Sequence, residues 1–273
     1  MPLSGDRIFG LYLEKNMKPD IVYEDNYMIA VVKPYGTPSQ SDHSNREDMV
    51  SIVKNYLFDR GDTDEEPYIA VINRLDRPVA GILLLAKTEE AAAKLSDLVQ
   101  DRKIEKCYQA VVCGEIPEDE GTFTDWLLAD KKDNIAKVVP EGTKGAKKAV
   151  LSYEVLDVIE TDEGLFTYLL IRLETGRHHQ IRCQMAAHGY PIWGDVKYGT
   201  GTADRRKAAG NAGSANAGKS GRNGARRKTA APEIGLYSTR MTFIHPYTGE
   251  EVFLHREPEG RAFDLLDAED PDW

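Results

Sequence analysis

The stretch "VINRLDRPVAGILLLAKT", residues 71–88, places one aspartate between two arginines and has apolar residues on both sides. The neighbouring segments "YIAVI" and "GILLLA" are typical of buried strands. Arg74, Asp76 and Arg77 lie between them, although charged side chains are almost never fully buried unless they are paired. Two interpretations fit: a solvated surface turn, or an ionised Asp76 at the rim of a sheet, kept anionic by nearby cations. These residues alone leave both interpretations open.

Composition indicates an ordinary globular chain. Of its 273 residues, 41% are hydrophobic and 29% are charged, and the apolar runs are far shorter than a membrane span of ~18 residues requires. The N-terminus has no basic segment followed by an apolar stretch, so we expect no secretory signal. The three cysteines are odd in number and lack CxxC spacing, which favours reduced thiols over disulfides or a zinc site. We therefore expect a cytoplasmic protein without contact to a membrane.

Charge is distributed unevenly along the chain. Residues 201–231 contain eight Arg or Lys and one Asp, giving +7, whereas the whole chain carries −10, so the remainder carries −17. This segment has no Val, Ile, Leu, Met or aromatic residue, and Gly and Ala fill 15 of its 31 positions. Such a composition predicts a flexible basic insertion, because it offers too little apolar surface to offset the entropy of ordering. An inert insertion and an arm that touches nucleic acid both fit this pattern.

The coarse pattern predicts more strands than helices. Strand signals flank the Asp-Asn turn in "DIVYEDNYMIAVVKP", and "AVLSYEVLDVIE" and "LFTYLLIRLE" form a predicted hairpin. Thr88 is a predicted N-cap for the helix "TEEAAAKLSDLVQDRK", and "TGRHHQIRCQMAAHG" is a second predicted helix. Because hairpins join most strands, we expect an α+β fold with a mixed, mostly antiparallel sheet and flanking helices.

Several chemistries can be weighed against this pattern. There is no GxGxxG, GxxxxGK[ST] or GxSxG motif, so neither a nucleotide cofactor nor a serine elbow is expected. His178, His179 and His188 do not have a metal-ligand spacing, which favours roles on or at the end of a helix. A conventional glycosidase needs a second, protonated carboxylate, whereas the arginines beside Asp76 favour its charged form. A single ionised carboxylate suits a nucleophile or a base.

Five segments in order resemble the RluA-type RNA pseudouridine synthases. They are "VYEDNYMIAVVKPYG", "NRLDRPVAGILLLAKT", "EKCYQAVVCG", "LETGRHHQIRCQMAAHGYPIWGDVKYG" and "IHPYTGEE". The likeness runs from about residue 20 to residue 255. Asn73 stands where the family usually has His, and Val79 and Ala80 replace Thr-Ser. These neighbours are expected to support the loop and not to perform chemistry.

The resemblance also implies a domain organisation. We expect an N-terminal extension at 1–19, one catalytic domain at 20–258 that includes the 201–231 insertion, and an acidic C-terminal tail at 259–273. The tail is expected to be loosely held. The short N-terminal segment implies a form of the family without an S4 domain.

The resemblance further implies a mechanism without cofactor or metal. The family cuts the C1′–N1 bond of uridine, turns the uracil and rejoins it through C5. Asp76 would attack C1′ or take the C2′ proton, Arg182 would pair with Asp76, and Tyr108 would stack on uracil with its hydroxyl near C5. Because a base in a stem must be extruded before reaction, cations are needed to hold the opened RNA. The expected substrate-binding residues are Arg74, Arg77, Arg177 and Gln180.

Two other functions remain open at this point. A catalytically silent RNA-binding protein with the same fold would be favoured by loss of Asp76, Tyr108 or Arg182, and all three are present. A hydrolase of a nucleoside bond would need a second carboxylate or a metal to activate water. The expected partner is a structured rRNA or tRNA, bound by a monomer, and the sequence leaves the particular RNA and uridine undecided.

Overall fold

The computed structural model describes residues 18–41, 47–61, 65–130, 132–199 and 233–266. The predicted basic insertion at 201–231, most of the N-terminal extension and the end of the acidic tail lie outside these ranges.

Eleven strands and three helices follow one another along the described part of the chain. In chain order they are β1 (Asp20–Glu24), β2 (Met28–Lys33), α1 (Met49–Asp59), β3 (Ala70–Val71), β4 (Ala80–Ala86), α2 (Glu89–Gln100), β5 (Glu105–Cys113), β6 (Glu120–Asp130), β7 (Ile135–Val139), β8 (Lys147–Thr161), β9 (Gly164–Leu173), α3 (Gln180–Ala187), β10 (Leu236–Ile244) and β11 (Glu251–His255). Among these helices, none has the length and apolar character to cross a bilayer.

All of these strands belong to one sheet. Its order is β1-β2-β4-β10-β5-β9-β8-β6-β7, with β11 beside β10 and β3 beside β4. The β4–β10 pair is parallel, with Tyr237 opposite Ala80, and the other pairs are antiparallel. The predicted α+β fold with a mixed, mostly antiparallel sheet is therefore confirmed.

Most predicted elements are present, and their ends have the expected chemistry. The Thr88 hydroxyl caps α2 by accepting a hydrogen bond from the Ala91 N–H at 3.1 Å, and Glu89 and Glu90 lie in the first turn. The hairpin of β8 and β9 turns between Thr161 and Gly164. Cys107 and Cys183 are buried, and Cys113 is half-buried.

The pattern did not predict α1, β6 or β7. Helix α1 follows a 5% exposed Asp48, whose carboxylate accepts hydrogen bonds from the N–H groups of Val50 and Ser51. Strand β6 is mostly exposed or half-buried along its length. Because its apolar residues do not alternate cleanly with polar ones, its period-2 signal is weak.

The two faces of the central strands bury different residues. Leu83 and Leu85 of β4 pack in the cluster that contains the buried residues of α1 and α3, whereas Ile82 and Leu84 pack with those of α2. Helices α1 and α3 therefore cover one face of the sheet and α2 covers the other. This alternation explains why "GILLLA" is apolar at every position after its glycine.

The expectation of a loosely held tail is wrong for residues 262 and 263. Ala262 is 0% exposed and Phe263 is 5% exposed, and both pack with Tyr237 and Val111. The backbone also folds into turns here, with the Phe263 N–H donating to the Gly260 carbonyl. The apolar side chains within an otherwise acidic segment anchor it to the core.

Candidate active site

Asp76 lies in the loop between β3 and β4, and neighbouring side chains hold this loop. The Asn73 side chain accepts from the Leu84 N–H at 2.7 Å and donates to the Ile82 carbonyl at 3.3 Å, both on β4. The Ser39 hydroxyl donates to the Leu75 carbonyl and accepts from the Leu75 N–H. Asn73 thus supports the loop by bonding to the backbone of β4, as expected.

A carboxylate–guanidinium–carboxylate chain fixes Asp76. Arg182 Nη1 on α3 donates to Asp76 Oδ2 at 2.8 Å, across 106 residues of sequence. The opposite side of the guanidinium contacts Asp195, with Nε at 2.7 Å from Oδ2 and Nη2 at 2.9 Å from Oδ1. Asp195 is 1% exposed, Arg182 is 5% exposed and Asp76 is 25% exposed. The buried bidentate pair orients Arg182, which then presents one N–H to the partly open Asp76.

The two carboxylates of Asp195 and Asp76 stabilise the charged form of Arg182 between them. Burial works against the charged form of Arg182, but the hydrogen bonds and charge of Asp195, together with Asp76, raise the pKa of its guanidinium above its ordinary value. Arg182 is therefore a permanent cation beside Asp76.

The arginines next to Asp76 in sequence have other contacts, which corrects the idea that they hold its charge. Arg77 Nε donates to the Gly36 carbonyl at 2.9 Å, and the Arg74 side chain is exposed. Within the described residues, Asp76 forms an ion pair with Arg182, and His179 Nε2 lies 3.5 Å from the same carboxylate. The cation that contacts Asp76 therefore comes from α3 and not from the loop itself.

Tyr108 reaches the site from β5, where it is paired between β10 and β9. It is 7% exposed and lines the same cleft as Asp76. Burial raises the pKa of the Tyr108 hydroxyl, and the negative charge of Asp76 raises it further. The phenol therefore stays protonated at neutral pH and can act as a hydrogen-bond donor beside Asp76.

Lys33 lies behind the loop and is fully buried. Its Nζ donates to the carbonyls of Thr37 at 2.8 Å, Pro34 at 3.1 Å and Arg77 at 3.3 Å. Burial lowers the pKa of Lys33 to about 7, with Asp76 opposing this shift and Arg77 adding to it. All three bonds are made to the backbone, which supports a structural role for Lys33.

Gln180 and Arg177 form the turn that begins α3. Gln180 Oε1 accepts from the Thr175 hydroxyl at 2.8 Å and from the Arg177 N–H at 2.9 Å, and its Nε2 donates to the Val150 carbonyl. The amide of Gln180 is thus engaged inside the protein, which supports a structural role over contact with a substrate. Arg177 Nε donates to the Lys148 carbonyl at the cleft.

Three residues of the site were not predicted: Asp195, His179 and Tyr198. His179 Nε2 lies 3.5 Å from Asp76 Oδ2, and its Nδ1 lies 2.8 Å from the Tyr198 hydroxyl. The motif "GYPIWGDVKYG" contained both Asp195 and Tyr198, so a signal was present. Their roles depend on contacts with α3, which the local sequence does not reveal.

The site opens into a cleft of about 1580 Å³. Asp76 and Tyr108 are among its lining residues. Its cations come from several elements: Arg74, Arg77, Arg102, Lys106, Arg177, Arg182, Lys197 and Arg261. The lining holds eight Arg or Lys residues and five Asp or Glu residues. A cleft of this size with an excess of cations suits a large anionic substrate better than a small neutral one.

Comparisons with known proteins identify related sequences. A family model described as RNA pseudouridylate synthase matches residues 27–187. The tRNA pseudouridine synthase C of Vibrio parahaemolyticus is 29% identical over 242 residues, covering 86% of this chain and 88% of that protein. The ribosomal large subunit pseudouridine synthase D of Pseudomonas aeruginosa is 30% identical over 190 residues, covering 70% of this chain and 56% of that protein.

Solved structures show the same fold. Human RNA Pseudouridylate Synthase Domain Containing 4 superposes with a TM-score of 0.67 at 19% identity, covering 91% of this chain and 92% of that one. Human RNA Pseudouridylate Synthase Domain Containing 1 gives a TM-score of 0.66 at 20% identity, with coverage of 89% and 84%.

Proposed function

Because the chain belongs to the RNA pseudouridylate synthase family and is an RNA-modifying isomerase, we propose that Asp76 is the carboxylate on which its reaction depends. One observation carries this proposal: Asp76 is a partly exposed carboxylate that accepts a 2.8 Å hydrogen bond from a buried, permanently charged arginine. A carboxylate held in this way is oriented by its partner while one side faces the cleft.

The chemistry of the family requires such a group and no redox partner. The C1′–N1 bond of uridine breaks, uracil turns, a C1′–C5 bond forms, the C5 proton leaves and N1 gains a proton. Asp76 starts this sequence by attacking C1′ or by taking the C2′ proton, and an ionised carboxylate suits either route. Neither route adds or removes atoms overall, because the product is an isomer of the substrate.

Tyr108 and the cleft cations have complementary roles in this proposal. The Tyr108 ring offers uracil a face to stack on, and its protonated hydroxyl donates a hydrogen bond near the reacting base. The exposed Arg74 side chain lies at the same loop as Asp76 and grips phosphate or fills the space that an extruded base leaves. Arg77 and Arg177 extend the cationic lining of the cleft.

We infer that the substrate is a tRNA. The support is the extent of the match: the relatives that align over 84% to 90% of their own length are named tRNA pseudouridine synthase C. A large ribosomal RNA is the second candidate, because the Pseudomonas aeruginosa relative is named for that substrate. A monomer in the cytoplasm completes the proposal.

The test is to incubate the purified protein with unmodified transcripts of tRNA and of the large ribosomal RNA, and then to map pseudouridine at single-nucleotide resolution. We expect new pseudouridine in tRNA. Modification of ribosomal RNA alone would overturn the tRNA assignment. Tight binding to both RNAs without any modification would favour the silent RNA-binding alternative.

A further inference from the structure

We propose that His179 is a positioning residue for Asp76. In this role its imidazole is neutral, and Tyr198 fixes its tautomer. The inference rests on the proposed function of Asp76 and extends it by naming which carboxylate oxygen is held and which one reacts.

The geometry places His179 between Asp76 and Tyr198. His179 is the N-cap residue of α3 and is 8% exposed. Its Nε2 lies 3.5 Å from Asp76 Oδ2, longer than a good hydrogen bond, and its Nδ1 lies 2.8 Å from the Tyr198 hydroxyl oxygen. Catalytic hydrogen bonds are often long in the free enzyme and shorten when substrate binds.

The hydrogen bonds of Tyr198 decide the tautomer of His179. The Ala136 N–H donates to the Tyr198 hydroxyl oxygen at 2.7 Å, and a backbone amide can only donate. This leaves the hydroxyl proton of Tyr198 free to point at His179 Nδ1. Because Nδ1 then accepts, the proton of the neutral ring lies on Nε2, the nitrogen that faces Asp76. The opposite tautomer would set a lone pair against the carboxylate.

The surroundings of His179 and Tyr198 also favour the neutral form of both side chains. Burial lowers the pKa of His179 to about 4, with Asp76 opposing this shift and Arg182, His178 and Lys197 contributing to it. Burial also raises the pKa of Tyr198 to about 12, so its hydroxyl keeps its proton. At neutral pH the arrangement is therefore a chain of neutral donors that ends on the Asp76 carboxylate.

The two oxygens of Asp76 consequently differ. Oδ2 accepts from Arg182 and faces His179, whereas among the described residues Oδ1 accepts no hydrogen bond. An oxygen that is already held has its lone pairs directed into the protein. The geometry thus leaves Oδ1 as the atom that meets the ribose.

The backbone supplies an independent observation. His179 has φ +51°, in the left-handed region. Residues other than glycine remain there only where the surroundings over-determine the conformation, and such positions cluster at functional sites. Here the strained backbone aims the ring into the gap between Asp76 and Tyr198.

The experiment compares His179→Gln with His179→Leu. Both side chains are unbranched at Cβ, so the backbone strain at residue 179 should be the same in the two variants. Only glutamine keeps an N–H donor near the position of Nε2. At saturating RNA we expect His179→Leu to lower the single-turnover rate constant by about 10- to 100-fold, as small losses of alignment do. His179→Gln should recover most of that loss, and the RNA Kd of both should equal that of the wild type.

Tyr198→Phe and the pH profile provide the second readout. Tyr198→Phe removes the hydroxyl that fixes the tautomer of His179. The rate constant of this variant should therefore lie between those of the wild type and His179→Leu. We expect that the pH profile of the wild-type rate constant has no step near pH 6.5 that disappears in His179→Gln. Such a step would overturn the inference, because it would mean that His179 works by gaining or losing a proton. Equal rate constants for His179→Leu, His179→Gln and the wild type would also overturn it.

Asp76→Asn separates this inference from the proposed function. If Asp76→Asn retains turnover, the proposed function fails. If Asp76→Asn is inactive while His179→Leu matches the wild type, only the positioning role fails.

Discussion

At the residue scale, the site depends on a pairing that crosses most of the chain. The residues alone indicated an ionised carboxylate, and the family resemblance supplied its partner, Arg182. The sequence suggested Arg74 and Arg77 as the nearest cations, but Arg77 bonds a carbonyl and Arg74 is exposed. Asp195 could not be inferred from local pattern, since its function is to orient an arginine on another element.

We predict that Arg182→Met destabilises the protein at neutral pH and abolishes turnover. The change leaves Asp195, 1% exposed, as a buried carboxylate without its bidentate partner. Removing one member of a buried pair costs about 3–5 kcal/mol of unfolding free energy. Urea unfolding at pH 7 measures this cost.

Arg172→Met is the matched control for that measurement. Its ion pair with Glu154 is exposed, at 42% and 47%, so its loss should change stability by no more than about 1 kcal/mol. Equal effects of the two substitutions would contradict the assignment of Arg182 to a buried chain of charges.

Tyr108→Phe tests the role of the hydroxyl. The aromatic ring is kept, so RNA binding should be unchanged. The hydroxyl beside Asp76 is lost, so the departure of the C5 proton should slow. Single-turnover kinetics with product mapping measure this, and Tyr153→Phe, a buried tyrosine that does not line the cleft, is the control. An unchanged rate constant for Tyr108→Phe would mean that the residue serves only as a surface for stacking.

At the element scale, most strands and two helices followed from pattern and capping. Helix α2 was predicted from Thr88 and the two following glutamates, and the hairpin of β8 and β9 from its turn residues. Strands β6 and β7 were missed, because at the β7 end of the sheet order they present few fully buried side chains. The parallel pairing of β4 with β10, 150 residues further along the chain, has no local signal at all.

This parallel pairing depends on Gly81. It has φ +111°, and a Cβ there would lie 2.3 Å from the Ser238 carbonyl oxygen. We predict that Gly81→Ala forces β4 away from β10 and lowers stability by more than the ~1–2 kcal/mol that the left-handed backbone alone costs. Activity should fall as well, since β4 follows the Asp76 loop. Urea unfolding and single-turnover assays measure the two effects.

Gly164→Ala is the matched control. Gly164 also has positive φ, at +130°, but a Cβ there would meet nothing within 4 Å. If the two substitutions cost the same, the close approach of β4 and β10 would not contribute.

At the scale of the whole molecule, charge is segregated. The chain carries −10, yet the cleft gathers cations from the Asp76 loop, from the turn before α3 and from the residues that follow α2. Lys197 and Glu233, which lie on either side of the basic insertion in sequence, also line the cleft. Composition predicted the charge of the insertion, and the structure locates its described flanks.

We predict that replacing residues 203–230 by a short Gly-Ser bridge leaves the fold intact and weakens RNA binding at low salt. The segment contains eight Arg or Lys and no large apolar residue. If about four of these cations contact phosphate, the slope of log K against log[salt] should fall by ~3, at ~0.7 for each contact with single-stranded RNA. Salt titrations of both proteins on one RNA measure this, and parallel lines with equal intercepts would mean that the insertion is inert.

The most direct test of the account is the single-turnover conversion of a tRNA transcript by Asp76→Asn, with RNA binding measured in parallel. Asparagine keeps the shape of the side chain and removes its charge, while Asp157→Asn, an exposed position on β8, controls for loss of a carboxylate elsewhere. The account predicts wild-type conversion by Asp157→Asn, and undetectable pseudouridine together with retained RNA binding for Asp76→Asn. Substantial pseudouridine formation by Asp76→Asn would contradict it.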